Sequence, residues 1–219
     1  MLYLYALTEH PAVVPQMVGL EETPLTVERL DGIEAVVGLV SHERIEASEE
    51  AVLTHARIVD ELAALNEAVL PARFGRGYPD AEALRDAVTG QADALGQALD
   101  RVRGCLELGL RVLTQPTDTD SPGQSGREYM VGRLDRRRQA ERLADEVHAP
   151  LAALARAETR TVAATPQLLL SAAYLVPREA LEPFQSAVEE IETAHPELSL
   201  ACTGPWPPYS FATAEIEPQ

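Results

Sequence analysis

The sequence predicts an α+β protein of two domains, a C-terminal one that is ferredoxin-like in its β-α-β-β-α-β order and a smaller N-terminal α+β unit. Three observations carry this. Three short apolar runs, Leu2 to Leu7, Leu25 to Leu30 and Ile33 to Val40, precede any long helical pattern. From Cys105 onward the periodicity changes in the order strand, helix, strand, strand, helix, strand. Gln115 to Gly126 (QPTDTDSPGQSG) has no hydrophobic periodicity and reads as an exposed, mobile loop. The expected organisation is an N-terminal domain over residues 1–103, a ferredoxin-like domain over 104–203 that contains the loop 115–126, and a strap of prolines and aromatics over 204–219.

Each element has a local reason. Asp31-Gly32 separates the second and third runs and is a strong hairpin signal. His10 to Gly19 carries Pro11 and Pro15, so it reads as a short helix or an irregular crossing. Ser48 suits an N-cap with Glu49 and Glu50 in the first turn, opening a helix to about Ala68 whose buried face is Ile58, Leu62, Leu65 and Val69. Val69 to Phe74 reads as a fourth strand. Asp80 caps a second helix with the stripe Leu84, Val88, Leu95, Leu99 and Val102, and Gly104 stops it.

Cys105 to Leu113 reads as a strand, and Ser125 with Glu128 forms a capping-box pattern. The helix that follows reaches Val147 and is expected to kink or restart at Pro150. Thr159 to Ala164 and Leu168 to Val176 are the next strands. Leu181, Phe184, Val188 and Ile191 mark a helical face ending near His195-Pro196, and Leu198 to Cys202 is the last strand. The first half can be read as a looser relative of the ferredoxin-like order, without an internal sequence repeat.

The formal charge is −17, from 35 acids against 18 bases, every one of them arginine. That balance argues against sequence-independent binding to nucleic acid or to an anionic membrane, which needs clustered positive charge. Met1 runs directly into a strand, with no basic leader or cleavage pattern, and no stretch approaches the ~18 apolar residues of a membrane span. The two cysteines, Cys105 and Cys202, are too few for a disulfide framework and fit a reducing cytoplasm; both are expected to be small buried core residues.

No histidine occurs in H-E-x-x-H or a comparable metal-ligand spacing, and His42-Glu43 lacks a second histidine one turn later. Gly123-Gln124-Ser125-Gly126 lacks the G-x-S-x-G spacing of a nucleophile elbow, and Gly75-Arg76-Gly77 is too short for a phosphate loop. No catalytic residue, metal or cofactor is expected. Three segments remain as candidate partner-binding sites. Arg73 and Phe74 stand before Gly75, either as an arginine presented to an acidic partner or as a paired arginine beside a core ring. Arg133, Arg136, Arg137 and Arg138 fall on the long helix, with Arg127 and Arg142, either as a solvated face of i, i+3 and i, i+4 ion pairs or as a docking face. Trp206, Tyr209 and Phe211 sit in Gly204-Pro205-Trp206-Pro207-Pro208-Tyr209-Ser210-Phe211, where each proline fixes its own φ and removes a donor. That segment cannot continue a central strand. It either packs its aromatics against the body or presents them to a partner.

This GPWPPYSF run resembles the C-terminal signature of the GvpF/GvpL family of gas vesicle accessory proteins. Other stretches resemble the family in the same order: Leu2-Tyr3-Leu4-Tyr5-Ala6, His55-Ala56-Arg57-Ile58-Val59, Val69-Leu70-Pro71-Ala72-Arg73-Phe74-Gly75, Leu99 to Gly109, and Gly126-Arg127-Glu128-Tyr129-Met130. Ala72 and Met130 stand where the pattern has Val and Leu. The resemblance implies a non-enzymatic accessory of vesicle assembly. It would be a minor vesicle component, in the cytoplasm and on the gas vesicle, that binds the shell protein GvpA and prevents its aggregation. The alternatives are a scaffold linking other gas vesicle accessory proteins through the arginine-rich helix, or a ferredoxin-like domain that binds a small molecule.

Overall fold

A computed structural model describes residues 1–41, 45–114, 126–162 and 168–212. The chain divides into two compact units, one formed by Met1–Leu106 with the segment that begins at Trp206, the other by Glu107–Pro205. The expected loop 115–126 lies, except for Gly126, outside the described residues, as do Ser125 of the capping box, His42, and Ala163 and Ala164 of the expected strand.

In the first unit, β1 (Leu2–Glu9), β2 (Leu25–Leu30) and β3 (Ile33–Leu39) are joined by α1 (Glu49–Leu65) to β4 (Val69–Pro71). A two-residue β5 (Gly77–Tyr78), α2 (Ala81–Thr89) and α3 (Ala92–Val102) follow. The strand order is β2-β3-β1-β4, with β5 also pairing β1, and every pair is antiparallel. The hairpin forms as its sequence demands. Asp31 and Gly32 take φ of 47° and 90°, the two left-handed residues of a tight hairpin turn, and Leu30 pairs with Ile33.

Ser48 caps α1 through its hydroxyl, which accepts from the Ala51 N–H, and Asp80 caps α2 by accepting from Ala83. The buried face of α1 is His55, Ile58, Val59 and Leu62, packed on Tyr3, Tyr5 and Val36 of the sheet. Leu65, expected on that face, is 45 % exposed, because the helix ends there and Asn66 turns away in an extended conformation. The expected single helix from Asp80 to Val102 is two. Gln91, at φ −128° and ψ 18°, breaks the helix after Gly90, and the stripe does not reveal it because no stripe residue lies between Val88 and Leu95.

The second unit runs β6 (Cys105–Thr114), α4 (Gly126–Ala152), β7 (Ala157–Val162), β8 (Leu168–Pro177), α5 (Leu181–Ala194) and β9 (Leu198–Trp206), in the sheet order β7-β8-β6-β9. Its core gathers Leu108, Leu110 and Val112 of β6, Ala144, Val147 and Leu151 of α4, Tyr174 of β8 and Phe184 of α5. Counted within its own unit, each sheet places its four principal strands in the sequence 2-3-1-4, and in the first unit the irregular crossing from His10 stands where the second unit has α4.

Three expectations are corrected here. The long helix does not end at Val147 or restart at Pro150 but runs through Pro150 to Ala152, the proline costing a single hydrogen bond close to the helix end. The last strand extends beyond Cys202 to Trp206: β9 ends the strand order, and an edge strand tolerates the missing N–H of Pro205. Cys202 is exposed on that strand, whereas Cys105 is buried as expected.

Candidate interaction surface

A buried chain of hydrogen bonds ties three separated segments of the first unit together. The Gly75 N–H donates to the Tyr3 hydroxyl at 3.1 Å, and that hydroxyl meets His55 Nδ1 at 2.8 Å. With its oxygen accepting from Gly75, the phenol donates its own proton to Nδ1, so His55 is protonated on Nε2 and donates to the Ala72 carbonyl at 3.0 Å. Burial pushes the His55 pKa below the ordinary imidazole value, against the smaller opposing effect of the Ala72 carbonyl. Rings complete the cluster. Tyr5 stacks on His55 at 5.7 Å, and Phe74 lies edge-on to both Tyr3 and His55.

This network fixes the turn that displays Arg73. The Ala72 N–H donates to the Tyr5 carbonyl, Gly75 takes φ of 85°, and the Arg76 N–H returns to the Arg73 carbonyl. Phe74 is half-buried against the core, and Arg73, the first residue of the turn, is exposed. Sequence reasoning quoted Tyr3 and His55 within motifs but not as a bonded pair; their shared signal was the aromatic and imidazole content of two otherwise aliphatic runs.

The strap divides its aromatics. Pro207, Pro208 and Phe211 are buried, Phe211 at 5 % exposure, while Trp206 is 49 % and Tyr209 41 % exposed. The backbone between them is turned, with the Tyr209 N–H on the Pro207 carbonyl and the Phe211 and Ala212 N–H groups on Pro208. Burial, followed by the Asp60 carboxylate, raises the Tyr209 pKa to about 12. Asp60, on the outer side of α1, is itself raised, first by burial and then by Glu61 beside it. Neither carboxylate was singled out in the sequence, where nothing links α1 to the strap.

On α4, Arg137 pairs with Glu141 at 2.9 Å and remains largely solvated; Arg138 and Arg142 are exposed. The side chains of Arg133 and Arg136 lie outside the described residues. Among the described residues no group of three histidines, cysteines or carboxylates could hold a metal, and no helix is long and apolar enough to cross a membrane. An open hollow of about 550 Å³ lies against α5, lined by Ser186, Glu189, Glu190, Thr193 and Ala194, a lining without histidine, cysteine or lysine.

Comparison with known proteins agrees along the length of the chain. The family model described as gas vesicle synthesis protein GvpL/GvpF matches residues 1–213. Gas vesicle protein F2 of Halobacterium salinarum is 32 % identical over 174 residues, covering 80 % of this chain and 72 % of that protein. Gas vesicle protein L of a Streptomyces species is 27 % identical over 96 % of this chain and 92 % of that protein. Among solved structures, the gas vesicle protein GvpF from Anabaena superposes with a TM-score of 0.81 at 20 % identity, covering 97 % of this chain and 95 % of that one. GvpF from Microcystis aeruginosa gives 0.79 at the same identity, with 97 % and 98 % covered.

Proposed function

The chain belongs to the GvpL/GvpF family of gas vesicle synthesis proteins, and from that premise we propose that it is a non-enzymatic accessory of gas vesicle assembly. It binds the small hydrophobic shell protein GvpA in the cytoplasm, keeps it from aggregating before nucleation, and is a minor component of the vesicle. The family match over residues 1–213 carries this reading.

The physics of the chain supports it. A shell subunit exposes apolar surface and strand edges until it assembles, and such species aggregate unless something covers them. A binder of net charge −17 keeps a covered complex dispersed by self-repulsion. Exposed aromatics on a strap anchored by buried Phe211 supply the apolar contact without a long flexible side chain to order on binding.

The test is co-expression with GvpA, affinity capture of this chain, and measurement of soluble GvpA with and without it. Retention of GvpA together with a larger soluble fraction is the expected result. Capture of other vesicle accessory proteins without GvpA would replace this reading with that of a scaffold, and charge reversal at Arg137 and Arg138 would then locate the contact.

A further inference from the structure

Among the described residues the two strand orders end in β2, β4, β7 and β9, and three of these edges are guarded. The unpaired N–H and C=O groups of an edge template pairing with another chain, and natural sheets blunt them with charge, proline or brevity. In the first unit β2 carries Glu28 and Arg29, while β4 is three residues long and closes on Pro71. In the second unit β7 carries Glu158 and Arg160, the latter paired with Asp145 at 2.7 Å.

The fourth edge, β9, lacks such guards along most of its length. Leu198–Trp206 is nine residues long and has no charged residue, in a chain whose net charge is −17. Every residue from Ala201 to Trp206 is exposed, and the one blunting device is Pro205, next to the end. Leu198 and Leu200 pack on the core of the unit, so Ser199, Ala201 and Thr203 share the opposite face, where Thr203 lies beside Gly109 of β6. The side of β9 away from β6 pairs with no described strand. A long, uncharged and exposed edge of this kind is a site of strand addition.

We propose that β9 is a self-association edge: a second copy adds its own β9 antiparallel to this one, and the two four-stranded sheets become one. The occupant follows from charge and symmetry. Copies of net charge −17 repel, so they meet at least cost where neither brings charge, and β9 is the edge strand that brings none. An antiparallel strand is also its own complement about a two-fold axis. The register that overlaps all nine residues is centred on Cys202, which then faces its counterpart, with Ala201 opposite Thr203 and Leu200 opposite Gly204. This goes beyond the shell-binding reading and needs no shell protein.

Sedimentation velocity of the full-length chain over a wide range of concentration reads the association, at low salt and at about 0.5 M, where charges more than a few ångströms apart are screened. Wild type is expected to dimerise, and more strongly at high salt because repulsion between the copies is screened. A201K/T203K sets like charges opposite each other in the paired register and is expected to weaken the dimer about tenfold or more. A64K/Q185K, at exposed positions of α1 and α5, changes the net charge equally and leaves the dimer near wild type. Folding of each variant is checked by circular dichroism and its urea midpoint. Cys202 gives a readout in the wild type itself, since it is exposed and Cys105 is buried. Residues directly opposite in an antiparallel pair have Cα atoms about 4.5–5.5 Å apart, within disulfide range. Mild copper–phenanthroline oxidation is therefore expected to yield a covalent dimer that a reductant cleaves and C202S abolishes. A chain that stays monomeric at both salts overturns the proposal, as does a dimer that A201K/T203K leaves intact or that does not crosslink through Cys202. A monomeric chain whose capture of GvpA is lost in A201K/T203K would assign the edge to the shell protein instead and leave the shell-binding role standing.

Discussion

Replacing Tyr3 by Phe removes one oxygen and leaves the ring, so it isolates the polar part of the buried cluster. In the native chain that oxygen accepts from the Gly75 N–H and donates to His55 Nδ1. Tyr3 is fully buried and His55 is 3 % exposed, so in the variant the imidazole lone pair has no water to turn to. Two net hydrogen bonds at about 1 kcal/mol each, with one buried acceptor left unsatisfied at about 1–3 kcal/mol, predict a loss of roughly 3–5 kcal/mol. The ring contacts with Tyr5 at 4.9 Å and Phe74 at 6.2 Å survive, so no cavity term is added. Urea unfolding followed by far-UV circular dichroism reads this as a lower midpoint at constant slope. Y5F is the internal comparison, since the Tyr5 hydroxyl accepts a single bond, from the Leu20 N–H at 2.7 Å, and predicts about 1–2 kcal/mol. A Y3F variant within about 0.5 kcal/mol of wild type, the ordinary range for a neutral substitution, would show that the hydroxyl does not hold the Arg73 turn.

The remaining predictions are more local. Tyr78 is 1 % exposed and its hydroxyl has no hydrogen-bond partner among the described residues, so Y78F is expected to be neutral or to stabilise by about 1–2 kcal/mol in the same urea assay. His55 has a depressed pKa in the folded chain, so the unfolded chain binds its proton first. Its contribution is complete above the reference value of 6.5 and is lost as pH falls below it. Thermal midpoints should therefore decline from pH 7 toward pH 5, and the part of that decline due to His55 should vanish in H55Q. A Cβ built on Gly19 would lie 2.5 Å from the Tyr5 hydroxyl, which is already held by Leu20, so G19A should cost about 1–3 kcal/mol. Y5F should recover part of that loss in the double variant.

What the sequence made legible was set by how local each signal is. Asp31-Gly32, Ser48 and Asp80 act through their own backbone, and each does what its chemistry suggests. The break at Gln91 was hidden because the stripe from Leu84 to Val102 satisfies one helical face whether or not the helix is continuous. The short β5 was missed because two residues carry no periodicity, and the extension of β9 because whether Pro205 is tolerated depends on the strand lying at an edge. Cys202 looked like a core residue because it stands in an apolar strand pattern, which does not show how much of the edge strand β9 the rest of the chain covers.

The surface followed the same division. The strap announced itself through its prolines and aromatics, but which rings would be anchors and which would face water depends on tertiary packing, and it separated Phe211 from Trp206 and Tyr209. Asp60 and Glu61 read as two ordinary carboxylates on the solvent side of an amphipathic helix. The influence of Asp60 on Tyr209 joins segments far apart in the chain, which no local pattern records.

That distance has a consequence for the order in which the protein is made. The unit that contains β1 and α1 also contains the segment beginning at Trp206, and all of Glu107–Pro205 is synthesised between them. A ribosome that has released the residues through Leu106 has therefore delivered the first unit without Pro207, Pro208 and Phe211, which are buried and belong to that unit. Its packing can be completed only after the entire second unit has been translated. A nascent or prematurely terminated chain lacks the buried residues that are made last.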